Sequence, residues 1–280
     1  MSQPHVTRTA LITGATAGLG AAYARQLARA GYALVLIARD ADRLAVTAHA
    51  LAEESALRVE TIAADLATDA GVERVAARLG EGMRDAARFV DLLVNNAGFG
   101  TKGMLVAGDG AEQEAMVRLH VLAVHRLTDA ALRPMLAQER GAIITVSSVA
   151  SYLTSPGNVT YCATKAYQRI AMEALAPEVA GRGVYVQAFC PGFTRTEFHA
   201  RAAISTAPIP RVLWMDAETA VAASLAALEA RRPTTVIPGW RNRMIVRLLS
   251  LMPRWVRARG TRRYEATRVR RADGSGTPNA

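Results

Sequence analysis

Cysteine is nearly absent from this 280-residue sequence, which contains only Cys162 and Cys190. So few cysteines argue against a disulfide framework and fit a reducing compartment, and we expect both thiols to be small buried groups. Long apolar runs are also missing: no stretch of about 18 uninterrupted apolar residues is available to span a bilayer. The first residues lack a basic segment followed by an apolar core, so we identify no signal peptide and expect a cytoplasmic protein.

Acidic residues are scarce at one end of the chain. Residues 1–230 carry 21 basic and 22 acidic side chains, whereas residues 231–280 carry 13 arginines against Glu265 and Asp273. The net charge of +10 therefore belongs to the C-terminal part and needs an explanation separate from the fold. Repeats of 20 to 50 residues, which would predict a solenoid, are absent too. We predict no metal site.

Short apolar runs alternate with helical patterns through the first 240 residues. The strand-like runs are 9–13, 33–38, 59–63, 91–94, 142–146 and 184–189. Helical patterns lie between them, including one long helix at about 112–138. This alternation is typical of a doubly wound α/β domain, a parallel sheet with helices on both faces, where ligands bind beyond the carboxyl ends of the strands. We predict a single such domain over 1–239, a basic amphipathic extension over 240–271 and a disordered tail over 272–280.

A glycine-rich turn follows the first strand and reads Thr13-Gly14-Ala15-Thr16-Ala17-Gly18-Leu19-Gly20. Glycines at such a turn let the backbone approach a pyrophosphate and direct the amides of the next helix at its charge. An ordinary tight turn can have the same composition, so the turn alone is a weak signal. Its place directly after the first strand favours a dinucleotide site.

The spacing TGxxxGxG resembles the short-chain dehydrogenase/reductase family, and the other motifs of that family follow in the same order. They are Asn95-Asn96-Ala97-Gly98 after the fourth strand, Ser148, Tyr161-Cys162-Ala163-Thr164-Lys165 as the YxxxK motif, and Pro191-Gly192-Phe193-Thr194-Arg195-Thr196 after the sixth strand. With few tyrosines and only two lysines in the chain, YxxxK is expected by chance about 5% of the time. The resemblance covers roughly residues 7–240 and implies a Rossmann-type fold.

The resemblance implies that Ser148, Tyr161 and Lys165 are catalytic. Tyr161 and Lys165 lie one helical turn apart, and we expect the ammonium to lower the pKa of the phenol so that it exchanges a proton near neutral pH. Ser148 would hydrogen-bond the substrate oxygen, and Lys165 would also hold the nicotinamide ribose. The alternative interpretation is a capped strand end at Ser148 and a surface pair at Tyr161 and Lys165.

The cofactor implied by the resemblance is a nicotinamide dinucleotide. Its expected ligands are Gly14, Thr16, Gly18, Leu19, Gly20, Arg39, Asp65, Leu66, Asn96, Ala97, Gly98, Tyr161, Lys165, Pro191, Gly192, Thr194 and Thr196. NAD-specific members place an acid at the end of the second strand, where this chain has Arg39. A guanidinium pairs well with a 2′-phosphate, so we predict NADP(H) in preference to NAD(H). Alternatively, Arg39 faces solvent or pairs with Asp42.

One position departs from the family pattern. The family has an asparagine on the long helix, where this chain has His120. The resemblance implies that its backbone carbonyl helps to hold a water in a proton relay from the lysine, and a histidine keeps that carbonyl. Two interpretations stay open for the imidazole, a direct catalytic role and a partly buried packing role, of which the second is favoured.

The substrate is harder to identify. Apolar residues in the segment where the family builds its substrate lobe suggest a hydrophobic pocket; they are Phe193, Phe198, Ile204, Ile209, Leu213 and Trp214. The same residues are expected in ordinary packing. We therefore predict an NADP(H)-dependent oxidoreductase that interconverts a ketone and a secondary alcohol on a hydrophobic acyl, steroid-like or other carbonyl compound. The alternative is a catalytically weak NADP(H)-sensing or membrane-surface binding protein on the same fold.

The segment 240–263 mixes tryptophans, aliphatic residues and arginines. It could lie on an anionic membrane surface, making the protein membrane-peripheral, with arginine stems beside the apolar face. It could equally close the active site or cover a neighbouring subunit. We predict no nucleic-acid binding, because no recognised binding module accompanies the arginines. We also predict a homo-oligomer.

Overall fold

The computed structural model describes residues 8–101, 104–196 and 210–251. The strands are β1 (Thr9–Thr13), β2 (Ala33–Ala38), β3 (Val59–Ala63), β4 (Leu92–Asn95), β5 (Gly141–Val146), β6 (Val184–Phe189), β7 (Thr194–Arg195), β8 (Met215–Asp216) and β9 (Thr235–Val236). The helices are α1 (Gly18–Arg29), α2 (Ala41–Ser55), α3 (Asp69–Gly80), α4 (Gly110–Val117), α5 (Val124–Ala137), α6 (Val159–Glu178), α7 (Ala217–Ala230) and α8 (Trp240–Leu251).

Seven of these strands form one parallel sheet in the order β3-β2-β1-β4-β5-β6-β9. From β1, successive strands are added on one side as far as β3; the chain then crosses to the other side of β1, where β4 pairs with it. This reversal makes β1 and β4 the switch point of the sheet, beyond whose carboxyl ends ligands bind in this class. The predicted doubly wound α/β fold is confirmed. The strands β7 and β8 pair separately, after β6.

The core lies on both faces of the sheet because successive side chains of a buried strand point to opposite sides. From β1, Ile12 packs in the cluster that includes Tyr23 and Leu27 of α1. Leu11, its neighbour, packs in the opposite cluster with Leu127 of α5. A continuous apolar run in the sequence is thus what a strand covered on two sides requires. Both cysteines are buried and free, as expected.

The predicted long helix is not uniform. Residues Arg118–Ala123, between α4 and α5, form a π-helical turn that contains His120. The predicted long helix at about 112–138 is present as a continuous helical stretch, Gly110 to Ala137, but side-chain periodicity does not distinguish the π turn within it from regular helix. π turns occur mostly as single insertions in α-helices and often at functional sites. In the described ranges, no helix combines the length and apolarity needed to cross a membrane.

Candidate active site

The glycine-rich turn lies at the carboxyl end of β1 and leads into α1. Gly14 has a φ of +67°, which favours glycine, and a Cβ at Gly20 would lie 2.1 Å from the Gly14 carbonyl oxygen. Helix α1 starts after Ala17 and has no side-chain cap, whereas Asp40, Thr68, Asp109 and Asp216 cap α2, α3, α4 and α7. The first amides of α1 are therefore left for an anion, and the turn fits the pyrophosphate of a dinucleotide.

A second loop, after β4, is hydrogen-bonded to the end of β1 and to this turn. The Thr13 hydroxyl accepts hydrogen bonds from the backbone amides of Asn96 and Ala97, both at 2.9 Å. In return, Asn96 Nδ2 donates to the carbonyl oxygens of Thr13 (2.8 Å) and Gly14 (3.2 Å). Thr13 thus orders the predicted cofactor loop, although sequence reasoning did not single it out. Its place as the last residue of β1, before the first glycine, was the available signal.

The loop after β6 approaches the turn from the other side. A Cβ at Gly18 would lie 3.1 Å from Thr196 Cβ, so the two loops are in contact. Within the loop, Thr194 Oγ1 donates to the Gly192 carbonyl at 3.1 Å. The Pro191 carbonyl accepts from the Val149 amide at 3.0 Å, which joins this loop to the segment after β5. The predicted cofactor residues after β1, β4 and β6 therefore meet at one edge of the sheet.

At the end of β2, Arg39 is exposed. It forms no salt bridge with Asp42 in the described part of the chain. Arg43, which the sequence did not single out, reaches back with Nη2 to 3.5 Å from the Thr16 carbonyl oxygen. This places a second guanidinium beside the glycine-rich turn. In the sequence, the position of Arg43 four residues after Arg39 was the only indication that it could approach the cofactor site.

The two predicted residues after β3 differ in environment. Leu66 is buried, whereas Asp65 is exposed and accepts from the Ala67 amide at 3.0 Å.

Ser148 and Tyr161 are hydrogen-bonded to each other. Ser148 follows β5 and caps a 3₁₀ turn, Val149–Tyr152, with its hydroxyl accepting from the Ala150 amide at 3.1 Å. Tyr161 lies in the first turn of α6. Burial raises the pKa of Tyr161 to about 12, which the hydrogen bond to Ser148 offsets only in part.

Lys165 lies one turn further along α6, buried, with its Nζ 5.9 Å from the Tyr161 ring centroid. The ammonium donates to the Val146 carbonyl at 2.8 Å and to Gln168 Oε1 at 2.9 Å. Burial lowers the pKa of Lys165 from 10.5 to about 7. The expectation of a lowered phenol pKa was therefore wrong for this structure, because burial disfavours the charged forms of both Tyr161 and Lys165 and, at Tyr161, outweighs the hydrogen bond to Ser148.

Gln168 joins the lysine to the π turn. Its Oε1 accepts from Lys165, and its Nε2 donates to the His120 carbonyl at 3.0 Å. The Gln168 amide thus donates to the same carbonyl oxygen to which the resemblance assigned a water, and this bond uses one of the oxygen's two lone pairs. Sequence reasoning missed Gln168. Its position three residues after Lys165 places it on the same helical face, but only the tertiary packing brings His120 opposite to it.

The imidazole of His120 is fully buried and uses both nitrogens. Nε2 accepts from the Phe99 amide at 3.2 Å, and Nδ1 lies 3.0 Å from Thr164 Oγ1. Because the Thr164 hydroxyl donates its one proton to the Tyr161 carbonyl, Nδ1 must be the donor to Thr164. Burial, and secondarily the charge of Lys165, lower the pKa of His120 well below 6.5, so the ring is neutral. This geometry favours the packing interpretation.

On the substrate side, the rings of Phe193 and Trp214 pack with centroids 5.7 Å apart. Leu213 ends a short 3₁₀ turn directly before Trp214. The other candidates for the apolar pocket, Phe198, Ile204 and Ile209, lie outside the described residues.

Comparison with known proteins agrees with this arrangement. Residues 8–205 match the family model of short chain dehydrogenases. Serine 3-dehydrogenase of Agrobacterium fabrum is 35% identical over 192 residues, which cover 68% of this chain and 73% of that protein.

Two solved structures are similar over most of the chain. A short-chain dehydrogenase from Sphingobium yanoikuyae in complex with NADPH has a TM-score of 0.77 and 35% identity, covering 88% of this chain and 97% of its own. A bulky-bulky ketone specific alcohol dehydrogenase from Comamonas testosteroni has a TM-score of 0.73 and 32% identity, covering 88% and 95%. The chain thus belongs to the short-chain dehydrogenase/reductase family and is an NAD(P)-dependent oxidoreductase acting on alcohol or carbonyl substrates.

Proposed function

We propose that this protein is an NADP(H)-dependent reductase that interconverts a hydrophobic ketone and its secondary alcohol. The observation that carries the proposal is the partly buried pair of Ser148 and Tyr161, which are hydrogen-bonded to each other beside the buried Lys165 at the carboxyl end of β5. The NADPH complex of the Sphingobium relative and the bulky ketone specificity of the Comamonas relative support it.

The chain's own groups would hold the cofactor in a defined way. The uncapped amides of α1 would bind the pyrophosphate, and Arg39, helped by Arg43, would supply positive charge for a 2′-phosphate. Lys165 offers donors to the ribose hydroxyls. The bound nicotinamide supplies the hydride for the carbonyl carbon.

Tyr161 delivers the proton to the substrate oxygen, and Ser148 donates a hydrogen bond to the same oxygen. A phenol with a raised pKa stays protonated until the oxygen becomes basic, which suits an acid in the direction of reduction. A positively charged Lys165 beside the phenol stabilises the phenolate that is left. The burial of Lys165 strengthens the interaction of its charge with the phenolate.

A cofactor-sensing protein on the same fold is the rival function. Such a protein needs the dinucleotide site but no proton donor. Here the serine, tyrosine and lysine are all present and close together, which favours the enzyme.

The test is NADPH oxidation with acyl, steroid and aromatic ketones, with Tyr161→Phe as the matched variant. Loss of the proton donor should reduce turnover about 10²- to 10⁴-fold, while NADPH binding measured by fluorescence stays within about twofold. Turnover retained by Tyr161→Phe would contradict the assigned chemistry. Tight NADPH binding with no ketone reduced would favour the sensor.

A further inference from the structure

Helix α8 borders the candidate active site with one of its faces. Asn242 and Val246 are the buried residues of this helix. The Asn242 side chain lies against Gly192, where a Cβ would be 2.6 Å from it, and Asn242 Nδ2 donates to the Pro238 carbonyl at 3.0 Å. The helix also contacts the turn Val149–Tyr152 that follows Ser148. These contacts fix which face of α8 turns away from the protein.

The outward face is apolar. Its four large side chains are Trp240 (58% exposed), Met244 (49%), Leu248 (54%) and Leu251 (82%). At about 100° per residue these four fall within an arc of about 80°, opposite Asn242 and Val246. We call them the α8 apolar arc. Scattered exposed apolar residues are ordinary, but four on one arc of a single helix mark a binding surface.

Arginines flank the arc on both sides. Arg241 lies at one border, and Arg247 and Arg243 follow each other at the opposite border. Arg241 and Arg247 are exposed. No acidic residue occurs in the sequence between Glu229 and Glu265, so α8 itself carries no negative charge to balance these arginines. The remaining sequence, 252–280, adds eight arginines and only two acidic residues.

The charge decides between the partners for such a face. A second copy of the chain, meeting it through the same face, would bring two positively charged surfaces together. A nucleic acid would satisfy the arginines but would leave the α8 apolar arc in contact with water. An anionic bilayer satisfies both, because tryptophan and aliphatic side chains enter the interface while flanking arginines reach the headgroups.

We propose that α8 docks on an anionic lipid membrane through the α8 apolar arc and its flanking arginines. The helix lies flat on the surface, with Asn242 and Val246 still packed on the protein. At this depth it needs no membrane-spanning segment.

The test is flotation of the full chain with vesicles of phosphatidylcholine alone and of phosphatidylcholine mixed with phosphatidylglycerol. The wild type should float with the anionic vesicles and stay behind with the neutral ones. Met244→Ser/Leu248→Ser should lower the apparent partition coefficient about tenfold or more. The matched control is Met83→Ser/Leu105→Ser, which removes the same residue types at similar exposures (56% and 51%) and should float like the wild type.

A charge variant tests the second element of the surface. Arg241→Glu/Arg247→Glu should also lose about tenfold or more, and added salt should weaken the wild type. All altered positions are exposed, and unchanged NADPH binding and circular dichroism show that each variant is folded.

Three outcomes would overturn the proposal. The first is equal flotation of wild type and Met244→Ser/Leu248→Ser, because the binding would then lie elsewhere. The second is a dimer in sedimentation that this variant dissociates, with no flotation of the wild type, which would make the face a contact between copies. The third is binding to a DNA duplex without any binding to vesicles.

Discussion

His120 Nδ1 and Thr164 Oγ1 lie 3.0 Å apart in the protein interior and join the π turn to the helix that carries Tyr161 and Lys165. On its other side the same ring accepts from the Phe99 amide, directly after the loop predicted to hold the cofactor. One neutral imidazole therefore connects the cofactor loop to the catalytic helix. It acts through position, since neither nitrogen is free to exchange a proton with substrate.

Replacing this ring should affect stability more than chemistry. We expect His120→Asn to retain or raise turnover, because the backbone carbonyl that Gln168 uses is kept. His120→Leu leaves the Phe99 amide without its acceptor and should destabilise the protein by about 1–3 kcal/mol, whereas the Thr164 hydroxyl loses the imidazole but keeps the Tyr161 carbonyl. Urea unfolding and kcat check the two effects separately. A loss of kcat above about a hundredfold in His120→Asn, near 2.7 kcal/mol, would show a direct catalytic role instead.

Gln168 is predicted to control the charge of Lys165. Gln168→Glu places a carboxylate at the acceptor 2.9 Å from Nζ and should raise the pKa of Lys165 above its present value of about 7. The alkaline limb of kcat/KM should then move upward by about one pH unit or more. The control is Gln138→Glu, an exposed glutamine at the end of α5, which should leave the profile unchanged. Coincident profiles for wild type and Gln168→Glu would mean that this amide does not set the lysine charge.

The lowered pKa of Lys165 should also make the free energy of unfolding depend on pH. Its folded-state pKa of about 7 lies below the ordinary 10.5 of an unfolded chain, so between these values the unfolded state holds a proton that the folded state does not. Stability from this group therefore rises with pH through that window, by roughly 1.4 kcal/mol per pH unit, and is constant below about pH 7.

Lys165→Met replaces the ionisable side chain with an apolar one of similar length, so this titration is absent from the variant. The difference in free energy of unfolding between wild type and variant, measured in urea from about pH 7 to pH 10, should grow in favour of the wild type. Parallel curves for the two proteins would show that Lys165 stays charged in the folded state.

The sequence predicted the strands well because runs such as 33–38 are buried on both faces and carry a continuous apolar signal. It missed β9, whose two residues, Thr235–Val236, are too few to show any pattern. The motif positions of Ser148, Tyr161 and Lys165 could be read from spacing, but the direction of the two pKa shifts could not. That direction depends on burial, which arises only when α6 packs against β5. The same holds for Gln168, whose partner His120 is 48 residues away.

Cofactor preference gives the sharpest test at the edge of the sheet. Arg39 is exposed after β2, and Arg43 lies beside the glycine-rich turn, so both can meet a 2′-phosphate without rearranging the core. Arg39→Asp removes one cation and adds repulsion, and should reverse the preference of kcat/KM from NADPH to NADH. The control is Arg182→Asp, which makes the same charge change at an exposed arginine before β6, at the amino ends of the strands. It should leave the ratio of kcat/KM for NADPH and NADH unaltered. If Arg39→Asp keeps the wild-type ratio while Arg43→Ala lowers it, then Arg43 carries the recognition; if neither changes it, the chain does not select the phosphate here.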